Sequence, residues 1–444
     1  MPRTSAISNA AYSVADYVSQ PLGMLLAAPL LIHRLGLSQY GIWMLVTAVV
    51  GSMGTLSGGF GDAAVKYVSA YRGRNDTAGV IRSIRGMLAI NGTLGGLLAV
   101  AIALASGFLA NHVFRIEPAL LSATTVALRL GAAVLFVRCV EAVFIAALRA
   151  FEQYGPTVKI NVFSRAGTIV AAVVLAAAGF GVAAIMAATL AIAAISMCCQ
   201  IIASQRVIGR FIPMPSLNRA ALSELLAFGC FSWLQALAAV GFNYADRLLV
   251  ATLLGTSALA YYMVCVQAAS PIHGLIQAAL NVLFPHVSAR QEAGESDATH
   301  DVIRRAFIAN AALAVLFCLP LALFSRQILT LWMGAAFARN ASPVLAILAI
   351  GYGMLALNIT GHYVLLALGE VRLVSALNIG GGIATLVTAA ILAAPLGLYG
   401  IAVGRIIYGP ITWLAYIRLA RIMRGRSGIR TALPLEISLA ETER

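Results

Sequence analysis

Long apolar runs alternate with short polar connections along almost the whole chain. A membrane helix needs about 20 mainly apolar residues. On that criterion spans are predicted near 12–33, 39–60, 86–110, 121–148, 160–179, 182–203, 223–253, 257–285, 304–325, 343–368, 373–394 and 398–420. Within lipid only helices or closed barrels satisfy their own backbone, and these runs are too long and continuous for barrel strands. The pattern predicts an all-α, polytopic membrane protein of about 12 transmembrane helices. The first apolar run follows Arg3 and a polar stretch with Asp16, and no short apolar core ahead of a small-residue cleavage site is evident. It is read as a retained span, not a signal peptide.

The polar connections fix an orientation. One set carries Lys66, Arg72, Arg74, Arg82 and Arg85, then Arg149, Lys159 and Arg165, then Arg206, Arg210 and Arg219, then Arg290, Arg304 and Arg305, then Arg372, and finally Arg418 to Arg430. The alternate set holds only Arg34, Arg115, Arg326 and Arg339. Basic residues are retained on the cytoplasmic side, so both termini are expected there. A missed span would scramble the alternation, which supports an even count.

The pattern also repeats. Leu35-Gly36 follows the first span and Leu254-Gly255 the seventh; Val68-Ser69-Ala70 follows the second and Val287-Ser288-Ala289 the eighth. Asn161 opens the fifth span and Asn378 the eleventh, and Gly179-Phe180-Gly181 has a counterpart at Gly397-Leu398-Tyr399-Gly400. The near-constant offset implies two six-helix bundles, 1–210 and 211–420, followed by a basic cytoplasmic tail, 421–444. Six is even, so both copies enter from one side and a pseudo-two-fold axis along the membrane normal is expected between them. Such folds place a substrate path between the bundles near the midplane.

Composition agrees. Hydrophobic residues make up 61% of the 444 residues and charged residues 10%, with a mean hydropathy of +0.91. A soluble chain is about one-quarter charged. The net charge of +14 lies at span ends rather than on a polar domain, which argues against nucleic acid as a partner and for membrane lipids. Six cysteines, Cys139, Cys198, Cys199, Cys230, Cys265 and Cys318, all lie in apolar runs without a CxxC or Cys/His cluster. No metal or other cofactor is expected. Nor is an enzyme: no Walker loop, zinc helix or nucleophile elbow occurs, and the connections are too short for a catalytic domain.

Five segments carry a resemblance. They are HRLGLSQYGIWMLV and GGFGDAAVKYVSAYRGRND between His33 and Asp76, NYADRLLVATLLGTSALAYY from Asn243, FPHVSARQEAGE from Phe284, ILTLWMGAAFA from Ile328, and LGLYGIAVGRIIYG from Leu396. In order and spacing, over nearly the whole chain, they resemble the polysaccharide (O-antigen type) flippases of the multidrug/oligosaccharidyl-lipid/polysaccharide exporter superfamily. The resemblance implies twelve helices in two bundles. It also implies movement of an undecaprenyl-diphosphate-linked oligosaccharide across a bacterial inner membrane to the periplasmic face, by alternating access. A polysaccharide polymerase or ligase would be a partner downstream.

Charges inside the spans bear on that substrate, because buried charge in lipid is costly and tends to face a pathway or a partner. Arg129 and Arg138 fall in span four, Arg247 in span seven and Arg405 in span twelve; the acids are Asp16, Glu141 and Asp246. Guanidinium matches phosphate oxygens in a fixed fork, so the four arginines are candidate substrate-binding residues. Arg129, Arg247 and Arg405 lie in the outer parts of their spans, where a long side chain also snorkels to the interface. Arg138 is deepest, and Glu141, three residues on, makes an ion pair its alternative role. Asp16, Glu141, Asn243 and Asp246 are candidates for coupling or gating; a helix-end cap or structural salt bridge is the alternative for Asp246. His273 and His362 are expected to be hydrogen-bonded packing residues, and Trp43, Trp233, Trp332 and Trp413 to sit in interfacial belts. Pro21, Pro29, Pro271, Pro320 and Pro410 are expected to bend their spans.

Three rivals define what to look for. An exporter of small cationic molecules, ion-coupled and of the same superfamily, calls for carboxylates in its cavity, yet arginines outnumber acids here. A porter of the major facilitator class calls for a compact Arg-x-Gly-Arg turn after an acid, and Asp62 with Arg72-Gly73-Arg74 has the wrong spacing. A membrane-embedded polymerase calls for a sizeable external loop, which the short connections leave no room for.

Overall fold

The structure is a computed structural model that describes residues 3–58, 61–216, 219–280, 296–368 and 370–430, with backbone alone along parts of the helices. Val287-Ser288-Ala289, the segment from Phe284 to Glu295 and the tail beyond Arg430 lie outside the described residues. The described residues form helices in this order: α1 (Arg3–Gly58), α2 (Gly61–Gly73), α3 (Thr77–Phe108), α4 (Pro118–Ala150), α5 (Tyr154–Ala177), α6 (Val182–Ile208), α7 (Arg219–Leu280), α8 (Ser296–Leu323), α9 (Ser325–Met333), α10 (Ala335–Ala367), α11 (Val371–Leu396), α12 (Leu398–Ile406) and α13 (Tyr408–Arg430).

Ten of the described helical stretches are long and apolar enough to cross a membrane. Two of them are doubled. α1 turns at Gly36 (φ 79°) and α7 at Gly255 (φ 84°), a left-handed backbone that only glycine adopts without strain. Each therefore supplies two spans, and α12 with α13 together supply one, which makes twelve crossings. Gly179 and Gly397 are a second pair of repeat-equivalent turns with positive φ.

Boundaries moved where hydropathy and hydrogen bonding part company. The tenth span was expected from 343, but α10 begins at Ala335; Arg339, Asn340 and Ser342 lower the hydropathy without stopping the helix. The connection expected between 326 and 342 is itself helical: α9 packs Leu329 inward, exposes Leu331, and ends at Gly334 (φ 89°). A short helix of that kind suits the lipid–water boundary.

Contacts divide the chain into two units, Met1–Ala268 and Ala269–Arg444, with the cut inside α7. In the first unit α4 is central, packed on α3 and α6, while α1 lies on α5. Val80, Ile84 and Met87 of α3 meet Val143, Phe144 and Ala147 of α4 in its core. In the second unit α10 is central, packed on α8, α9, α12 and α13. Outward surfaces are apolar, with Leu97, Leu104, Phe163, Ile195, Ile383 and Ile391 all exposed, as a lipid-facing helix requires.

The repeat extends to contacts that the sequence did not announce. Asn91 of α3 donates to the Cys139 carbonyl of α4 at 3.3 Å. Asn310 of α8, at the 219-residue offset, donates to the Ala356 carbonyl of α10 at 3.0 Å. Both amides are buried. Each ties one helix to the central helix of its own unit, a use of polar side chains that membranes favour because lipid offers no other partner.

Trp43 is 4% exposed and meets Tyr40 edge-on, and Trp413 donates its indole N–H to the Met354 carbonyl.

Candidate functional site

In the first unit, buried charge is gathered on α4. The Arg138 Nη1 donates to Glu141 Oε2 at 2.6 Å, and its Nη2 donates to Ser164 Oγ of α5 at 3.2 Å. Ser196 of α6 donates to the other Glu141 oxygen. The sequence places Glu141 three residues after Arg138, the spacing at which side chains of one helix meet. The neighbouring helices supply serines, small enough to sit between packed backbones. Glu141 is 1% exposed and the Arg138 side chain 33%, so the carboxylate is wholly buried while the guanidinium keeps one open side.

Arg129, nine residues earlier on the same helix, is exposed and donates from Nε to Ser106 Oγ of α3 at 3.2 Å. The described contacts give it no link to the Arg138 network, which fits its place on the opposite side of a helix turning 100° per residue.

The described side chains of α7 begin at Tyr244, and Asp246 and Arg247 follow shortly after. Asp246 is buried; it accepts from the Tyr262 hydroxyl at 2.7 Å and from the Arg247 amide at 2.8 Å. The Arg247 guanidinium lies over the Tyr244 ring, 5.2 Å from its centroid. Its Nε is buried with no hydrogen-bond partner, a costly condition in an apolar interior. The side chains of Asp16 and Asn243 lie outside the described residues.

The turns at Gly36 and Gly255 bring repeat-equivalent residues face to face. Ser38 Oγ and Ser257 Oγ, 219 residues apart, stand 3.1 Å from each other. A residue that meets its own equivalent sits on the local two-fold of the two segments. Behind this pair, a Cβ on Gly41 would overlap the Thr256 carbonyl, and one on Gly51 would lie 2.7 Å from the Tyr244 ring. Tyr40 is fully buried and its hydroxyl accepts from Gln267 Nε2 at 3.3 Å. Glycine at 41 is thus required for a close backbone approach, a use the sequence alone did not reveal.

In the second unit, Arg405 lies in the last turn of α12. Its guanidinium lies over the Tyr352 ring of α10, 4.6 Å from the centroid, within the range of a cation–π contact. One turn on, the Tyr408 hydroxyl donates to Asn378 Oδ1 of α11 at 3.0 Å. Asn378 is the residue the sequence paired with Asn161, and Asn161 Oδ1 likewise accepts, from Gln200 of α6 at 3.3 Å. At the end of the same unit, Glu370 accepts two hydrogen bonds from Arg418.

The geometry thus joins Arg138 to Glu141 and sets Asp246 beside Arg247. It gives Arg247 and Arg405 an aromatic face each, and leaves Arg129 at an exposed position. The sequence missed Tyr244, Tyr352, Ser164 and Ser196. The i,i+3 spacing of Tyr244 and Arg247 was a readable signal; the other partners come from different helices and carried none.

Comparison with known proteins places this arrangement. A family model described as polysaccharide biosynthesis protein matches residues 35–296. No curated protein sequence matches at a significant level. Among solved structures, an inward-facing multidrug resistance MATE family transporter of the MOP superfamily aligns over 92% of this chain and 98% of its own. Its identity is 16% and its TM-score 0.73. The lipid II flippase MurJ, in an inward closed conformation, aligns over 92% and 87% at 14% identity with a TM-score of 0.73. A mutant form of the MATE transporter VcmN of Vibrio cholerae aligns over 94% and 98% at 16% identity with a TM-score of 0.64. At these identities the likeness is one of fold.

Proposed function

Because the chain belongs to the polysaccharide biosynthesis protein family and has the fold of MOP-superfamily transporters, we propose that it is a flippase. Its substrate is an undecaprenyl-diphosphate-linked oligosaccharide, an O-antigen or exopolysaccharide unit, moved by alternating access. The substrate travels from the cytoplasmic to the periplasmic face of a bacterial inner membrane, in which both termini are cytoplasmic. The basic connections support that orientation. A polysaccharide polymerase or ligase consumes the product.

The observation that carries this reading is the state of the intramembrane charges. Both described acids are already engaged: Glu141 by Arg138 and Ser196, Asp246 by Tyr262. A site for a cationic solute needs carboxylates free to meet it, so these contacts favour an anionic substrate over the rival exporter of small molecules. Arg247 and Arg405 each lie over an aromatic ring, and a guanidinium matches phosphate oxygens better than an ammonium does. We assign the substrate contacts to Arg129, Arg247 and Arg405. For Arg138 the contacts support the ion-pair role that the sequence left open. Asp246, with Asn243 beside it in sequence and Asp16 at the start of the first span, is assigned to coupling or gating. The fold of MurJ, named as a lipid II flippase, supports a lipid-linked substrate.

The test is reconstitution into proteoliposomes with a polyprenyl-diphosphate oligosaccharide carrying a fluorescent sugar. A membrane-impermeant reductant quenches only the label on the outer leaflet. Protein-dependent quenching of the inner pool supports the proposal. Its absence, together with accumulation of a cationic dye, transfers the chain to the rival class.

A further inference from the structure

Residues 209–218 join α6 to α7, where one copy of the sequence repeat gives way to the next. Residues 209–216 of this connection are described and lie in the first unit. A connection that only tethers two moving bodies is expected to be polar and free of its neighbours. This one is neither.

Its course is fixed residue by residue. Gly209 closes α6 in a left-handed conformation (φ 106°), and its amide donates to the Gln205 carbonyl at 3.0 Å. The Gln205 side chain donates from Nε2 to the Phe211 carbonyl at 2.8 Å. Phe211 is 8% exposed and belongs to the core that Val68 of α2, Ile84 and Met87 of α3, and Phe144 and Ala147 of α4 build together. Arg85 of α3 then holds the next stretch at two points. Its Nε donates to the Ile212 carbonyl at 3.3 Å, and its own carbonyl accepts from the Ser216 amide at 3.1 Å. Pro213 and Pro215 lie between those points. Each fixes its own φ and disfavours a helical residue before it, so the backbone between the two contacts is stiff.

The connection is thus held by α6 through Gln205, by α3 through Arg85, and by the core of the first unit through Phe211. Lifting it would expose an aromatic ring and break three hydrogen bonds at once, a combined cost that a passive tether does not carry. In sequence only Leu217 and Asn218 separate Ser216 from the start of α7 at Arg219.

We propose that residues 209–216 are a fixed strap: they keep their place on α3 and α6 throughout the transport cycle, and the change of shape between states is taken up beyond Ser216. Phe211 anchors the strap and Arg85 positions it. The inference rests on the alternating-access reading given above. It takes the link between the two repeats, which the sequence offers as a ready joint, out of the moving parts.

The test ties the strap down and asks whether transport continues. In a full-length chain whose six cysteines are replaced by alanine, Arg85→Cys and Ser216→Cys are joined by a short bifunctional methanethiosulfonate, which a reductant removes. Flipping of a polyprenyl-diphosphate oligosaccharide with a fluorescent sugar is followed in proteoliposomes before and after reduction. A constraint that suits every state equally shifts none of them, so the joined pair is expected to flip within about two-fold of the reduced pair. A joined pair that stops flipping until it is reduced overturns the strap and makes it a latch that must open. A pair that cannot be joined overturns it as well. Hydrogen exchange in lipid nanodiscs gives a second readout. Exchange across 209–216 should be slow in the wild-type chain, with or without undecaprenyl diphosphate, and fast in Phe211→Ala while α3 keeps its protection. Fast exchange in the wild-type chain, or protection lost when the lipid is added, contradicts the proposal. If neither the wild-type chain nor the reduced pair flips the labelled lipid, the flippase reading fails, and the exchange result alone decides the strap.

Discussion

Two regions handle polar groups in lipid differently, the Arg138–Glu141 network of the first unit and a set of unpartnered polar atoms in the second. In the first, the guanidinium of Arg138, the carboxylate of Glu141 and two serines close on one another across α4, α5 and α6. In the second, Thr385, Asn358 and His273 carry buried polar atoms that have no hydrogen-bond partner among the described residues. A network whose buried carboxylate is met on both oxygens is best understood as structure. Unpartnered buried polar atoms keep unmet hydrogen-bonding capacity, which a binding site also needs. Charge inside a membrane is thus not itself a mark of function; what distinguishes the two regions is whether the buried polar atoms have partners.

The largest effect that would sharpen this contrast is expected at Glu141. Glu141→Ala leaves Arg138 and Ser196 without their shared acceptor, and breaking a buried pair costs about 3–5 kcal/mol, less here because Arg138 is one-third exposed. Detergent-solubilised protein should lose its monodisperse peak or melt well below wild type. Arg138→Met with Glu141→Leu together should recover most of that loss. If the double variant stays as unstable as the single one, the network is not a self-contained structural pair.

A second break is steric. Gly41→Ala sets a methyl group against the Thr256 carbonyl, and overpacking of that kind costs about 1–3 kcal/mol. Thermal unfolding of the variant should show it, whereas Ala at the neighbouring exposed Ser38 should leave the midpoint near wild type.

The repeat supplies a smaller and finer test. Interhelical hydrogen bonds in membranes are worth about 0.6 kcal/mol on average. Asn310 donates to two carbonyls and the Thr360 hydroxyl, and Asn91 to one carbonyl. Asn310→Ala should therefore cost two to three times as much as Asn91→Ala in the same unfolding assay. Equal losses would mean that the extra bonds in the second unit add nothing. The least effect is expected at the exposed Arg72–Glu152 pair, 3.5 Å apart, where removal of either partner should change stability by about 0–1 kcal/mol.

Much of the fold was legible because lipid imposes one rule on every span. The apolar runs, the alternation of arginines and the recurrence of Leu-Gly at 35–36 and 254–255 were enough for twelve helices and a repeat. The helix boundaries were not, since Arg339 and Asn340 end an apolar run without ending a helix. The Arg138–Glu141 pair was visible because both residues lie on one helix at contact spacing. The aromatic faces under Arg247 and Arg405 show how far local sequence carries. Tyr244 is three residues from Arg247 and within reach of inspection, while Tyr352 lies on another helix and is reached only through packing. The irregular hydrogen bonding at Ile407 was foreshadowed by Pro410, but the unpartnered nitrogen of His273 was not. Nothing in a sequence tells whether a buried histidine has found its hydrogen bond.

The most direct measurement of this division of roles sets Arg405→Ala beside the Arg138→Met, Glu141→Leu double variant in the proteoliposome flipping assay, each normalised to folded protein. Loss of one good charged contact to a phosphate, about 1.5–3 kcal/mol, corresponds to roughly 10- to 100-fold. That drop in initial rate is expected for Arg405→Ala, with a near wild-type rate for the double variant. The reverse order, with Arg405→Ala flipping normally and the folded double variant inactive, would contradict the assignment of Arg405 to substrate and of the Arg138–Glu141 pair to structure.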